Sequence, residues 1–232
     1  MKSINPDTQS ATSYANAQNN QVRAGGTTFA YRELGPRGGI PLILLNHWGA
    51  VLDNFDPRIV DGLARKHRVI AIDYRGIGSS DGIAPVTVDG IDRVGAMSWP
   101  LMLKGLVTLR DPKTYLFFTA TANGRQAASA FLKRLKERKA GRDKGPTPGA
   151  LLRQLRAIKG WGQQAPQNLT RLQMPVLIAN GDNDIMVPTR LSHDMARRIP
   201  NAQLVIYQDA GHGGIFQYHT DFVIKALEFL AQ

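Results

Sequence analysis

Two stretches of this sequence share one pattern, in which a short apolar run, an amphipathic run and a second apolar run follow one another. These runs occupy residues 41–46, 53–66 and 67–73 in the first stretch, and residues 175–180, 189–199 and 203–207 in the second. Apolar runs that do not alternate with polar residues are typical of strands buried on both faces. A helical crossover makes the two strands that it joins parallel. The pattern therefore predicts an α/β fold with a mostly parallel sheet.

The rest of the chain falls into segments of different character. Residues 21–34 contain a turn sequence between two strand-like runs, which predicts an antiparallel hairpin, and residues 221–230 form an amphipathic helix. Residues 1–20 are polar, and we expect a disordered or loosely attached tail. We assign residues 21–91 and 173–232 to an α/β core and residues 92–172 to an inserted helical lid. Residues 114–120 are the best strand candidate within that insertion.

Composition excludes several classes of protein. The sequence has no cysteine, so disulfides, a thiol nucleophile and cysteine metal sites are excluded. Its apolar runs are all shorter than the roughly 20 residues that cross a membrane, and its start lacks the apolar run of a secretory signal. We therefore expect a cytoplasmic protein without a membrane span. The sequence leaves the oligomeric state open.

The positive charge of the chain is local. The formal net charge is +11, and residues 123–160 alone contain 11 Lys or Arg against two acids. Such a run is usually a solvated face, although attraction to an anionic substrate or a lipid surface is also compatible with it. Aromatic residues that could stack on bases are not interleaved with the basic ones, so we do not expect a nucleic-acid partner.

Polar residues follow each of the four predicted parallel strands. Their sequences are Asn46-His47-Trp48-Gly49-Ala50, then Asp73 to Gly82, then Gly181 to Pro188, and finally Asp209 to Gly213. Ligands bind at the carboxyl ends of the strands in open α/β sheets. The sequence therefore predicts one site built from these four loops.

Three of these loops read D-x-R-G-x-G-x-S, G-D-x-D-x-x-V-P and A-G-H-G in chain order, and with them the chain resembles the α/β-hydrolase family. The resemblance implies that His212 is a general base and Asp184 its orienting acid. It also implies that the Trp48 backbone N–H lies in an oxyanion hole, with Asn46 and His47 beside the pocket. From the residues alone, Asp184 could equally be a turn residue, and Asp182 could serve as the acid.

The same resemblance requires a nucleophile in a G-x-S-x-G turn between a strand and a helix. The only match is Gly78-Ser79-Ser80-Asp81-Gly82, which we reject because it follows the wrong strand and no helix follows it. Ser98 and Ser129 have no flanking glycines, and residues 90–95 are one residue too long for an aspartate turn. No nucleophile is predicted.

We interpret this absence as an internal deletion, natural or engineered, near residues 90–92. A βαβ unit of roughly 30 residues is missing, and in the family its two strands lie between the two units of the sheet. Closing that gap would move the second unit inward by roughly 15 Å. The strand at residues 41–46 would then pair with the strand at 175–180.

Three functional hypotheses follow. The first is a hydrolase of carboxylic esters or lactones, with no cofactor or metal ion. We expect the present chain to be inactive, because it lacks the nucleophile. The second is a non-catalytic protein that binds a small hydrophobic ligand, and the third is a deletion product with no function of its own.

Overall fold

The computed structural model describes residues 12–83, 100–101, 103–105, 107–165 and 167–232. Its strands are β1 (Asn20–Ala24), β2 (Thr27–Leu34), β3 (Leu42–Leu45), β4 (Val69–Ile72), β5 (Val176–Gly181) and β6 (Ala202–Tyr207). Its α-helices are α1 (Pro57–Ala64), α2 (Lys113–Leu116), α3 (Ala122–Arg134), α4 (Pro148–Gly162), α5 (Thr189–Arg198), α6 (Gly214–Gln217) and α7 (His219–Leu230). Single 3-10 turns cover Leu52–Asn54 and Leu169–Arg171. The α/β fold predicted from the sequence is confirmed.

The first sheet has the strand order β1-β2-β4-β3. β1 and β2 form the predicted antiparallel hairpin, and β2 is antiparallel to β4. β3 and β4 are parallel, with Leu42 opposite Val69 and Leu45 opposite Ile72. The first βαβ unit is therefore confirmed, and α1 is its crossover helix.

The second sheet consists of β5 and β6, which are parallel as predicted. The prediction that the strand at 41–46 pairs with the strand at 175–180 is wrong, because β3 pairs with β4 and β5 pairs with β6 in separate sheets. The helices explain why the two units stay apart. A Cβ atom on Gly62 of α1 would lie 2.7 Å from Val223 Cγ1 of α7, so these helices already touch. An inward movement of the second unit would drive α7 into α1.

One hydrophobic core joins both sheets. Its buried residues come from β2, β4, α1 and α7, and Leu177 of β5 packs against them. Tyr14 and Ala17 also belong to this core, with 2% and 1% of their surface exposed. The Tyr14 hydroxyl donates a 2.8 Å hydrogen bond to the Leu52 carbonyl oxygen. The predicted loose tail is thus wrong for residues 12–20, and residues 1–11 lie outside the described residues.

Residues 113–162, which carry α2, α3 and α4, are called the helical segment below. The strand candidate at 114–120 is wrong, since α2 occupies its first part. Arg134 lies 2.7 Å from the fully buried Asp56 carboxylate, and Arg138 donates to the Ala17 carbonyl oxygen at 2.8 Å. Part of the basic run is therefore neutralised inside the fold. None of the helices in the described residues is both long and apolar enough to span a bilayer.

Three carboxylates and an arginine form a buried cluster where the helical segment meets the first sheet. Arg32 lies 2.6 Å from Asp53 and 3.8 Å from Asp143. Asp73 accepts hydrogen bonds from the Leu52 N–H and from the Asn46 side chain. Burial, followed by the charge of Asp143, raises the pKa of Asp73 to about 7.

This cluster predicts that the free energy of unfolding falls as the pH rises. Asp73 titrates near its ordinary pKa in the unfolded chain but near 7 in the fold, so the folded protein binds more protons between these values. The free energy of unfolding should therefore decrease from about pH 4 to about pH 7. Asp143→Asn removes the neighbouring charge and should flatten this slope, which urea denaturation at pH 5 and pH 8 would measure.

Asp194→Asn is the matched control, because Asp194 is exposed and pairs with Arg198 on the surface of α5. It should keep the slope of the unchanged protein. An Asp143→Asn variant that loses as much stability between pH 5 and pH 8 as the unchanged protein would contradict the role given to this pair.

Candidate active site

An aspartate and a histidine meet where the loops after β5 and β6 come together. His212 Nδ1 lies 2.9 Å from Asp184 Oδ2. The other oxygen of Asp184 accepts hydrogen bonds from the N–H groups of Met186 and Val187, at 2.8 and 2.9 Å. The Asp184 side chain is 1% exposed and that of His212 27% exposed. The carboxylate is thus fixed by its own loop, and the imidazole keeps one face open to solvent.

Asp182, the alternative acid, makes hydrogen bonds to other groups than His212. Its Oδ1 accepts from the Ala210 N–H at 3.1 Å and from the Asn183 side chain at 2.6 Å. These bonds tie the loop after β5 to the loop after β6. Asp184, and not Asp182, is the carboxylate that contacts His212.

The histidine loop is held by the backbone of the helical segment. The Gly213 N–H donates a 2.7 Å hydrogen bond to the Phe117 carbonyl oxygen. A Cβ atom on Gly211 would lie 2.8 Å from that same oxygen, so only glycine permits this approach. The glycines of the A-G-H-G sequence therefore serve the docking of Phe117 as much as the turn itself.

The Phe117 ring contacts two histidines. Its centroid is 5.3 Å from the His212 ring and 5.5 Å from the His47 ring, both in edge-on arrangements. His47 Nδ1 lies 2.9 Å from the Trp48 carbonyl oxygen, so this nitrogen carries the proton. Sequence reasoning missed Phe117 because it lay in the supposed strand at 114–120, and no motif marks it.

The loop after β3 is covered by α4. The Trp48 indole N–H faces the Leu151 carbonyl oxygen at 3.4 Å, and the Gly49 N–H donates to the Gln154 side chain at 3.1 Å. No hydrogen bond within the described residues engages the Trp48 backbone N–H. Asn46 is buried and binds the end of β4 through the Ile72 carbonyl oxygen and Asp73.

A cavity of about 710 Å³ connects these groups. Asn46, His47, Asp184, His212 and Phe117 are among its lining residues, whereas Trp48 is not part of its lining. The remaining lining is mostly apolar. Within the described ranges, no group of three acidic, histidine or cysteine side chains is arranged to hold a metal ion.

The described serines do not take the place of a nucleophile. The Ser80 hydroxyl donates to the Asp73 carbonyl oxygen at 2.9 Å and accepts from the Ala30 N–H at 2.8 Å, so it holds the loop to β2. Ser192 accepts a hydrogen bond from Asn180. Among the described residues, no hydroxyl is hydrogen-bonded to His212. Ser98 and residues 90–95 lie outside the described part of the chain.

Comparisons with known sequences point to one family. A family model described as "TAP-like protein" matches residues 156–232. The chain is 36% identical over 86 residues to a non-heme chloroperoxidase from Streptomyces lividans, a match that covers 35% of this chain and 30% of the relative. It is 29% identical over 114 residues to a pimeloyl-[acyl-carrier protein] methyl ester esterase from Aliivibrio salmonicida, covering 49% and 42%. The matches thus span less than half the length of these relatives.

Comparisons with solved structures show a similarity that extends over more of the chain. An α/β-hydrolase fold protein from Chitinophaga pinensis is 27% identical, with a TM-score of 0.87, and the match covers 94% of this chain and 99% of that one. The enol-lactonase from Burkholderia xenovorans LB400 is 18% identical, with a TM-score of 0.66 and coverage of 92% and 100%. The fold and the acid–histidine pair define a hydrolase-like α/β protein. The chain has the α/β-hydrolase fold and is similar to members of the α/β-hydrolase family.

The close approach of Phe117 to Gly211 predicts that a methyl group at position 211 destabilises the fold. Gly211→Ala should destabilise the fold by about 1–3 kcal/mol, because the new Cβ collides with backbone that must move. Gly145→Ala is the matched control, since no atom lies within 4 Å of its Cβ position. It should leave the stability unchanged or raise it by up to about 1 kcal/mol. Thermal unfolding of both variants would test this, and equal effects would refute the close approach.

Proposed function

We propose that this chain carries the acid–base half of a serine-type hydrolase that acts on small carboxylic esters or lactones. His212 is the general base and Asp184 the acid that orients it. The observation that carries this proposal is the 2.9 Å contact between His212 Nδ1 and an Asp184 carboxylate whose other oxygen is held by two N–H groups. A carboxylate fixed in this way sets the tautomer of the imidazole, so that Nε2 is free to accept a proton.

The cavity supports the substrate class. It is lined mainly by aliphatic and aromatic side chains, and its polar lining residues include Asp184 and His212. Such a pocket suits a small apolar molecule with one polar centre. Two of the similar proteins carry the names methyl ester esterase and enol-lactonase, which agree with an ester or lactone carbonyl as that centre.

The oxyanion hole is the second element of the proposal. The Trp48 N–H is the donor that we assign to it, because no described group competes for this N–H. The cavity does not reach Trp48, so this donor would serve only after a movement of α4, which covers the loop. We propose that the helical segment is a lid in this sense.

The nucleophile is the element that the described residues do not supply. An acyl-enzyme requires a hydroxyl that loses its proton to His212 Nε2 as its oxygen attacks the carbonyl carbon. The described residues offer none, in line with an internal deletion that removed it between Asp73 and the helical segment. We therefore propose that this chain binds its ligand but does not form an acyl-enzyme by itself.

Covalent labelling tests this proposal directly. Incubation with a fluorophosphonate should leave the intact mass unchanged, and hydrolysis of p-nitrophenyl butyrate should show no burst, because no hydroxyl of the described residues is presented to His212. Removal of a triad serine costs about 10⁶-fold in turnover in subtilisin, so any remaining activity should be small.

Two variants distinguish hydrolysis that depends on His212 from background hydrolysis. His212→Ala should lower any remaining hydrolysis, whereas His193→Ala on the exposed side of α5 should not. A phosphonate adduct on Ser98 or Ser80, lost in the corresponding Ser→Ala variant, would overturn the proposal that the chain lacks a nucleophile.

A further inference from the structure

A second cavity, of about 810 Å³, is lined by other residues of the loops that carry the acid–histidine pair. Asn183 and Ile185, the two neighbours of Asp184 in the chain, line this second cavity, and so does Gly211, which precedes His212. Asp184 and His212 themselves line the cavity of the candidate active site, called the first cavity below. The same loops therefore form part of the wall of both cavities.

The second cavity has a mostly apolar lining with some hydroxyl groups. Leu101, Leu116 and Phe118 belong to the apolar part, and Thr114 and Tyr115 supply two of the hydroxyls. Its volume lies within the range of roughly 300 to 1,000 Å³ that is usual for small-molecule sites. The cavity is therefore large enough and apolar enough to take a small organic molecule.

Three cationic side chains also line the second cavity, namely those of Lys104, Arg110 and Arg125. The Lys104 ammonium lies over the Tyr115 ring, 4.6 Å from its centroid, and Arg125 donates a hydrogen bond to the Ala120 carbonyl oxygen. These partners are neutral. Within the part of the chain that the structure describes, none of the three cations forms an ion pair with a carboxylate, so their charge is not neutralised there.

Asp209 is the only acid among the described residues that line the second cavity. Its carboxylate accepts hydrogen bonds from the side chains of Thr119, Thr121 and Asn123. The bond from Asn123, followed by those from the threonines, lowers the pKa of Asp209, so this group is charged at neutral pH. The lining residues thus carry three positive charges against one negative charge.

We propose that the second cavity binds a small amphipathic carboxylate, that is, a molecule with an aliphatic body and one anionic head group. The guanidinium groups of Arg110 and Arg125 match a carboxylate, whose two oxygens can accept two parallel N–H bonds. A neutral apolar molecule would leave the cations without a counterion, and an inorganic anion would leave the apolar lining in contact with water. This site does not depend on the chemistry proposed for His212.

Titration of the complete, ¹⁵N-labelled chain with octanoate tests this site by nuclear magnetic resonance. The amide signals of Thr121 and Arg125 report on the second cavity, and those of Val60 and Ile178 report on the first. Two further probes divide the ligand into its parts. 1-Octanol keeps the aliphatic body without the charge, and acetate keeps the charge without the body.

We expect octanoate to shift the signals of Thr121 and Arg125 saturably, and 1-octanol and acetate to bind at least about tenfold more weakly at these signals. Arg110→Gln and Arg125→Gln should each weaken octanoate binding by about three- to tenfold, because each removes one cation that the solvent partly screens. Arg65→Gln is the matched control, since Arg65 is exposed at the end of α1 and lies outside the lining of the second cavity. It should bind octanoate as the unchanged chain does.

Four results would overturn the proposal. One is the lack of a saturable shift at Thr121 and Arg125 up to the solubility limit of octanoate. Another is equal binding of 1-octanol, which would make the second cavity an apolar pocket without anion recognition. A third is a set of shifts confined to Val60 and Ile178, which would place octanoate in the first cavity. The fourth is unchanged octanoate binding by both variants at positions 110 and 125, with circular dichroism showing that they are folded.

Discussion

The contact between α1 and α7 is the constraint on which the rest of this structure depends. Gly62 and Val223 bring the two helices to van der Waals distance, and the residues around them form one core with both sheets. The two sheets share no hydrogen bonds between β3 and β5, so side-chain packing holds them in place. The cavity at the candidate active site is lined by residues of both β3 and β5. His47, which follows a strand of the first sheet, and His212, which follows a strand of the second, both contact the Phe117 ring.

The helical segment acts as a second brace between the two halves. Arg134 binds both the Asp56 carboxylate at the start of α1 and the Phe216 carbonyl oxygen in the second half of the chain. Asp209, after β6, accepts hydrogen bonds from Thr121 and Asn123, and the bond from Asn123 contributes most to lowering the pKa of its carboxyl. The buried pair of Arg134 and Asp56 is costly to break, because the remaining partner would keep its charge without a counterion. Arg134 and Arg138 of the basic run therefore have a structural role.

The local elements of the fold could be predicted from the sequence, but the contacts between them could not. Apolar runs such as 175–180 and helical spacing such as Phe55, Ile59 and Leu63 identified strands and helices, because each pattern is set by near neighbours. The burial of Tyr14 depends on a hydrogen bond to Leu52, far along the chain, and no local pattern records it. The pairing of β3 with β5 was predicted from a missing segment alone. It failed because helix packing outside the sheet fixes the separation of the two halves.

The candidate active site, like the fold, could be predicted from the sequence only in part. The order of the loops placed His212 and an aspartate together, and the backbone N–H groups of one loop then decided for Asp184 over Asp182. Phe117 could not be foreseen, since it follows a four-residue helix and belongs to no motif. Ser80 matched a nucleophile pattern by letter only, and its hydrogen bonds to Asp73 and Ala30 give it a structural role.

Backbone nuclear Overhauser effects across the sheets are the most direct measurement of the central claim that β3 and β5 remain unpaired. In uniformly labelled protein, cross-strand contacts should join β3 to β4 and β5 to β6, and none should join β3 to β5. The two paired ladders serve as internal controls for signal and folding. A regular series of contacts between residues 42–45 and 176–181 would contradict the account, because it would mean that the two sheets close into one.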